Sequence, residues 1–435
     1  MLDSRADQRP FLERDTLQDR LTYAVLLAAL FVMPLGTGPV TFAEGAMIAV
    51  WVFSGACWIR RSDYLTASWF WPVLLVIVLK GVGLLYTPDF DDLGLDYAEK
   101  AHYWLIPFAL SGIRPSRRAA NILLYAFLAG LFVNACVGFL QAVKIVPVFA
   151  DIGDTGYIGL YGGHNTLSAL LVLGMLTCSY FLKEASGIRR KGLFGFLIAA
   201  YFLHLIIMES RGGYLVFAVL CPVMIYHILP KKSVPWTVLI YALLIAGMLT
   251  SPIARQRVVR TVGEIHKHVT SEESVVWGKT YTKDLDRIYM WRWAVDLFLE
   301  NPILGVGTGG YRESMLAAGG EVGAAHPHNS FLHMAVSYGV FGIAAFIWLF
   351  YAFLRTGWRH RQCAVGFFTL SSTLVLLIGG MTETHILDAG GLFLFAVTAG
   401  LQTSLPKAAL RDGEHPRQDA RVQGSRTPTN EPFVF

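Results

Sequence analysis

The interval that opens with SPIARQRVVR (251–260) and closes with AHPHNSFLHM (325–334) is the only long polar stretch in a chain otherwise made of apolar runs. Its reading decides the fold, because everything around it is long and apolar enough to lie in a bilayer. A helical span takes about 20 apolar residues, fewer where the helix is broken or re-entrant. Twelve runs qualify, at 21–35, 39–59, 68–86, 97–113, 118–141, 164–182, 192–208, 213–229, 234–251, 329–354, 363–380 and 388–404. The expected fold is an all-α polytopic membrane protein with about 12 transmembrane helices. The polar interval, 252–328, becomes one long loop with short helices between spans 9 and 10.

Composition agrees. Of 435 residues, 54% are hydrophobic and only 15% charged, and the mean hydropathy is +0.49, too apolar for a water-soluble globular domain. The net charge of +5 does not indicate nucleic acid, since the basic residues form short clusters between apolar runs. The five cysteines all fall inside apolar runs without CxxC spacing, so neither a disulfide nor a zinc site is expected.

Basic residues set the orientation. Arg60 and Arg61, then Arg114, Arg117 and Arg118, then Lys183 to Lys191, Lys231 and Lys232, and Arg355 to Arg361 occupy alternate loops. The loops between them hold few cations and include the acidic run YTPDFDDLGLDYAEK (86–100). By the positive-inside rule the first set faces the cytoplasm, and a long loop crosses whatever its charge. Both termini are then cytoplasmic. Residues 1–20 form a short polar tail before a retained span, and 405–435, rich in Arg, Asp, Pro and Gln, form a disordered tail. Arg211, Arg287 and His328 share the outer face.

Three motifs gather at that face. MESRGGYLVF (208–217) places Arg211 at the junction of spans 7 and 8, followed by two glycines that permit a sharp turn. Arginine at membrane depth is costly unless paired or functional, and its planar fork suits phosphate. The plain alternative is an ion pair with Glu209. DLDRIYMWRWAVDLFLENPILGVGTGGY (284–311) reads as a helix ended by Asn301-Pro302, with Ile288, Trp291, Val295 and Phe298 or Leu299 on one apolar face. Arg287 lies near its start, where the helix dipole also favours an anion; Arg292 and Asp296 follow on the same helix. Asp284 and Asp286 match a DxD metal pattern, but acids at a helix start are more often caps. GVGTGG (305–310) fits GxGxxG without a preceding strand, so a dinucleotide site is rejected in favour of a flexible loop that admits a sugar or phosphate. In AHPHNSFLHM, His326 and His328 form HxH without a third ligand at metal spacing. His328 precedes Asn329, a good N-cap. An imidazole, with a free pKa of about 6.5, can act as general base toward a sugar hydroxyl. Lys80, near the outer end of span 3, joins Arg292, His326 and Asn329 as a secondary candidate for substrate contact, its alternative being snorkelling to the interface. Glu383 and His385 in the last outer loop are weaker candidates. GGHN (162–165) loosely echoes HPHN (326–329).

SRGG after a span, then R-x3-W-x2-A with NP-x2-GxG, then HNSFL leading to a helix with YGVFG, resembles the O-antigen ligase and O-antigen polymerase family over roughly residues 160–400. The resemblance implies a glycosyltransferase of lipopolysaccharide biosynthesis in the bacterial inner membrane, with a periplasmic active site. Its donor would be a glycan on undecaprenyl pyrophosphate, its acceptor lipid A–core, its surroundings membrane lipids, and neither metal nor other cofactor is implied. The family roles fall on Arg211, Arg287 and His328, while His333 stands where relatives often carry Gln. O-antigen polymerase or protein O-oligosaccharyltransferase is the alternative within the family. The alternative outside it is a polytopic transporter or flippase, which would spread ionisable residues near the bilayer midplane and break paired helices in its two halves.

Overall fold

The computed structural model describes residues 11–148, 156–229, 233–250, 283–320 and 324–405, with no β-strand among them beyond one isolated bridge. Residues 252–282 and 321–323 of the polar interval, the side chains of Asp284 and Asp286, and the tail after Leu405 therefore lie outside the described residues. In chain order the helices are α1 (Leu17–Val32), α2 (Thr37–Phe53), α3 (Ala56–Ile59), α4 (Arg61–Leu65), α5 (Phe70–Gly83), α6 (Leu95–Glu99), α7 (Ile106–Leu110), α8 (Arg117–Ala142) and α9 (His164–Glu184). They continue with α10 (Ile188–Met208), α11 (Arg211–Ile228), α12 (Ser233–Thr250), α13 (Lys283–Glu300), α14 (Tyr311–Ala317), α15 (Ser330–Arg359), α16 (Ala364–Gly379) and α17 (Ala389–Leu401).

Five of these, α8, α9, α10, α11 and α15, are long and apolar enough to cross a membrane, and α2, α5, α16, α17 and the first part of α12 are shorter apolar helices. α9 is the central post. Residues 166–181 are all buried and pack on α8, α10, α11 and α16. The outer helices leave Phe196 and Leu203 of α10, and Leu215 and Val219 of α11, exposed. An apolar surface of this kind suits lipid, because water would drive it into contact with something else.

The expected fourth span does not form one helix. Residues 90–110 are a π turn (Phe90–Gly94), α6, a 3-10 turn (Lys100–Leu105) and α7. Asp89 caps the first piece by accepting from Leu93 N at 3.3 Å. Pro107, which has no N–H to give, stands at the head of the last. The amino-terminal stretch also differs from a free tail. Leu12, 2% exposed, bridges to Pro115, with Glu13 N bonded to Arg114 O at 3.0 Å and Ser116 N to Phe11 O at 3.0 Å.

That bridge belongs to an end of the bundle where the clusters assigned to inner loops meet. Arg60 and Asp19 form a buried ion pair at 2.7 Å, Arg114 reaches Asp63 at 3.4 Å, and Arg117 reaches Glu184 at 3.0 Å.

The glycine-rich segment is a structural joint and not an open ligand loop. Gly305, Gly307 and Gly309 take positive φ, which spares them the strain a side chain would bring. Val306 N bonds Val336 O at 2.8 Å, Gly307 N bonds Ser337 O at 3.0 Å and Thr308 N bonds Gly83 O at 3.1 Å. The amides that a phosphate would need are thus spent on backbone carbonyls of α15 and α5. The same joint breaks α15: Gly339 has φ 60°, and a Cβ there would lie 2.2 Å from Ile303 O.

The buried face of α13 is also not the expected one. Met290, Ala294 and Leu297 point inward, the last two into a small core with Val306, Tyr311, Met315 and Val336. Ile288, Val295 and Leu299 are exposed. Where both faces of a helix are apolar, periodicity does not say which one packs.

Candidate functional site

α9, α11, α15 and α17 begin, and α16 ends, beside one another at the end of the bundle opposite Arg60, and their termini assemble the site. His328 stands just before α15. Asn329 caps that helix, its Oδ1 accepting from Phe331 N at 2.9 Å and Leu332 N at 3.0 Å. A capping residue of this kind is worth about 1 kcal/mol. The Asn329 amide nitrogen, spared from capping, donates to Met381 O at 3.0 Å, Ser330 N donates to Gly380 O at 2.7 Å, and Ser330 Oγ donates to Glu383 O at 3.0 Å. The start of α15 is thereby stitched to the loop after α16.

His328 holds φ at 48°, an uncommon conformation for a residue with a side chain, and one that persists only when its surroundings impose it. Its backbone N–H bonds His326 Nδ1 at 3.3 Å, and the two rings lie 4.3 Å apart. Its own Nδ1 lies 2.9 Å from Glu383 Oε1.

Glu383 is the centre on which the site converges. Oε1 also accepts from Thr384 N at 3.0 Å, and Oε2 accepts from the Asn165 amide. The Arg287 guanidinium stands 3.8 Å from Oε2 and is one-third exposed. Burial works against ionising this carboxyl. The hydrogen bonds from the His328 ring and the Thr384 N–H override it and hold the group well below the usual carboxylate range. His326 moves for the opposite reason: burial, then the neighbouring His328, lower it to about 4, so its ring is neutral near pH 7.

Arg211 is the first residue of α11. The sharp turn before it comes from Glu209 in the left-handed region (φ 56°) and from Ser210, which caps the helix through Gly213 N at 3.3 Å. The two glycines serve close packing instead. A Cβ on Gly213 would lie 2.4 Å from that of Ser168, and one on Gly212 would meet Thr382 Oγ1 at 3.3 Å and Asn165 Oδ1 at 3.7 Å. The exposed Arg211 therefore adjoins a glycine whose missing side chain would face both Thr382 and Asn165. Three chain segments, around 165, 211 and 287, meet the 380–384 loop beside His328.

The secondary candidates divide. His326 and Asn329 belong to this cluster. Arg292 stands on an exposed part of α13, 3.9 Å from Asp296. Lys80 does not snorkel: it is 2% exposed, and its Nζ donates to Tyr97 O at 2.9 Å. Tyr97 in turn donates to Ala325 O at 3.1 Å and meets the His333 ring edge-on at 5.9 Å. Lys80 thus buttresses the histidine loop from behind. Asn165 escaped the sequence reading as a site residue, although the GGHN echo passed through it. Unlike Asn329 it does not cap its helix, whose N-cap is Gly163.

His326, His328 and Glu383 place three donor atoms within 4.8 Å of one another, the donor set of a two-histidine, one-carboxylate metal centre. HxH therefore does have a carboxylate partner, distant in sequence. One nitrogen of each ring and both carboxylate oxygens are already engaged, however. Both Glu383 oxygens accept hydrogen bonds, Nδ1 of His326 takes the His328 N–H, and a guanidinium cation stands at the same carboxylate. A dication there would compete with Arg287 for one anion, so the donor set fits a metal poorly.

A family model described as O-Antigen ligase matches residues 194–347. That interval contains Arg211, Arg287 and His328 and leaves out Asn165 and Glu383. No curated protein matches the chain.

Proposed function

We propose, from the O-antigen ligase family to which this chain belongs, that it is an O-antigen ligase acting at the periplasmic face of the bacterial inner membrane. It moves O-antigen glycan en bloc from undecaprenyl pyrophosphate to lipid A–core, without a metal. The twelve-span topology with both termini in the cytoplasm belongs to the same reading. The observation that carries it is convergence: Arg287, His328 and the turn bearing Arg211, remote in sequence, surround one loop at one end of the bundle. A transporter would place such groups near the midplane.

In this reading Arg211 and Arg287 hold the diphosphate of the donor. Their charge counts most when the bond to the anomeric carbon breaks and its electron pair moves to a phosphate oxygen. His328 takes the proton of the acceptor hydroxyl as that oxygen bonds to the anomeric carbon from the opposite side, which inverts the configuration. The diphosphate leaves with its charge matched by two guanidinium groups, each able to donate two parallel hydrogen bonds.

The decisive experiment reconstitutes purified protein with the lipid-linked donor and offers lipid A–core, a second donor glycan or a pilin acceptor, each with and without EDTA. Transfer to lipid A–core alone, insensitive to EDTA, is expected. Transfer to glycan would instead make it a polymerase, transfer to pilin a protein oligosaccharyltransferase, and no transfer at all would sink the enzyme reading.

A further inference from the structure

Among the described residues, Glu383 is the side chain that touches both His328 and Arg287, and nothing in the family match covers it. Its two oxygens are differently employed. Oε1 faces the His328 ring and the Thr384 N–H; Oε2 faces the Asn165 amide and, farther off, the Arg287 guanidinium. The carboxylate therefore cannot rotate without giving up bonds on both edges.

We infer that Glu383, fixed by Asn165, is the positioning residue that orients His328 for proton transfer. An ionised carboxylate only accepts hydrogen bonds, so the proton between it and the ring sits on Nδ1. In a neutral imidazole that leaves Nε2 as the one nitrogen with a lone pair, which fixes the tautomer. When Nε2 takes the acceptor hydroxyl's proton the ring becomes a cation, and the adjacent carboxylate stabilises that charge without itself being protonated. The same carboxylate lies 3.8 Å from Arg287, so the proton acceptor and one of the two proposed diphosphate-binding cations stand at the same loop. The strained backbone at His328 fits a residue held in place by such contacts. This inference rests on the glycosyl-transfer reading above.

The test uses the full-length protein with lipid-linked donor and lipid A–core. Glu383→Gln keeps the shape of the side chain and removes its charge. kcat should fall on the order of 10²- to 10⁴-fold, from the range general acid–base catalysis supplies to the loss that follows neutralising a carboxylate behind a catalytic imidazole, with both KM values within about twofold of wild type. Glu383→Asp should recover part of the loss, and Asn165→Ala should reproduce a smaller version of it. In a His328→Ala background, Glu383→Gln should cost nothing more, because there is no ring left to orient. Elution as a single species and an unchanged melting temperature separate these losses from misfolding; should Glu383→Gln fail to fold, the Asn165→Ala and Glu383→Asp kinetics decide. Full activity of Glu383→Gln, a rise in KM at constant kcat, or an equal loss in the His328→Ala background would each overturn the positioning role. So would activity abolished by EDTA and restored by zinc, since Glu383 and His328 would then be ligands. Wild-type transfer with a normal Glu383→Gln variant strikes this inference alone; absence of wild-type transfer strikes the function and the inference together.

Discussion

The two ends of the bundle handle charge in opposite ways. At the end that holds Arg60, cation and carboxylate meet directly: Arg60 and Asp19 lie 2.7 Å apart with side chains 5% and 2% exposed, and neighbouring Asp63 takes Arg114 and Arg14. At the other end Arg287 stops 3.8 Å short of Glu383, whose oxygens are already occupied by neutral donors and an imidazole. The first arrangement is closed and holds helices together. The second leaves cationic charge facing outward, where an anion from outside the protein can answer it. Distance and occupancy of the carboxylate, more than the presence of arginine, separate the two arrangements.

That contrast can be broken from either side. Arg60→Ala leaves Asp19 buried without a counter-charge and should cost about 3–5 kcal/mol of stability, read as a large fall in melting temperature in detergent, with any surviving protein transferring at the normal rate. Arg287→Ala should do the reverse. Melting should hardly move, while kcat/KM drops by the equivalent of about 2–4 kcal/mol, the cost of one electrostatic donor; Arg211→Ala should match it. A smaller effect is expected where the two roles overlap. Asn329→Ala loses a helix cap worth roughly 0.5–2 kcal/mol and the tie to Met381, so both melting and turnover should decline together.

Acid tests the same end of the bundle through His326. His326 has its folded pKa lowered to about 4 by burial and by His328, below its unfolded value of about 6.5. Between those values the unfolded chain binds the extra proton, so this contribution to stability is complete above about pH 6.5 and is lost as pH falls toward 4. A melting curve that softens over that window, and flattens in His326→Gln, is the expected result. An unchanged slope in that variant would remove His326 from the account.

Long apolar helices and the clustering of basic residues at alternate loops could be read from the chain because lipid imposes them on composition directly. Arg211, Arg287 and His328 could be singled out for a related reason, since each stands in a polar break between apolar runs. Three features were not. The packed face of α13 was misassigned, as Met290, Ala294 and Leu297 are no more apolar a stripe than the exposed Ile288, Val295 and Leu299. The GVGTGG segment looked like a ligand loop because glycine permits close approach without saying of what; here the visitor is backbone from α5 and α15. Glu383 carried little signal of its own, because its importance lies in partners 218 and 55 residues away. Long-range pairing of polar side chains leaves no periodicity to read.

The break at Gly339 bears on how the start of α15 is aimed. The stub of α15 that presents Asn329 and the imidazole is aimed independently of the 340–359 shaft, with the Ile303 carbonyl lodged in the notch between them. Any side chain grafted onto Gly339 would push that carbonyl out and swing the stub like a mis-set sight, re-aiming the Asn329 cap and the imidazole before it.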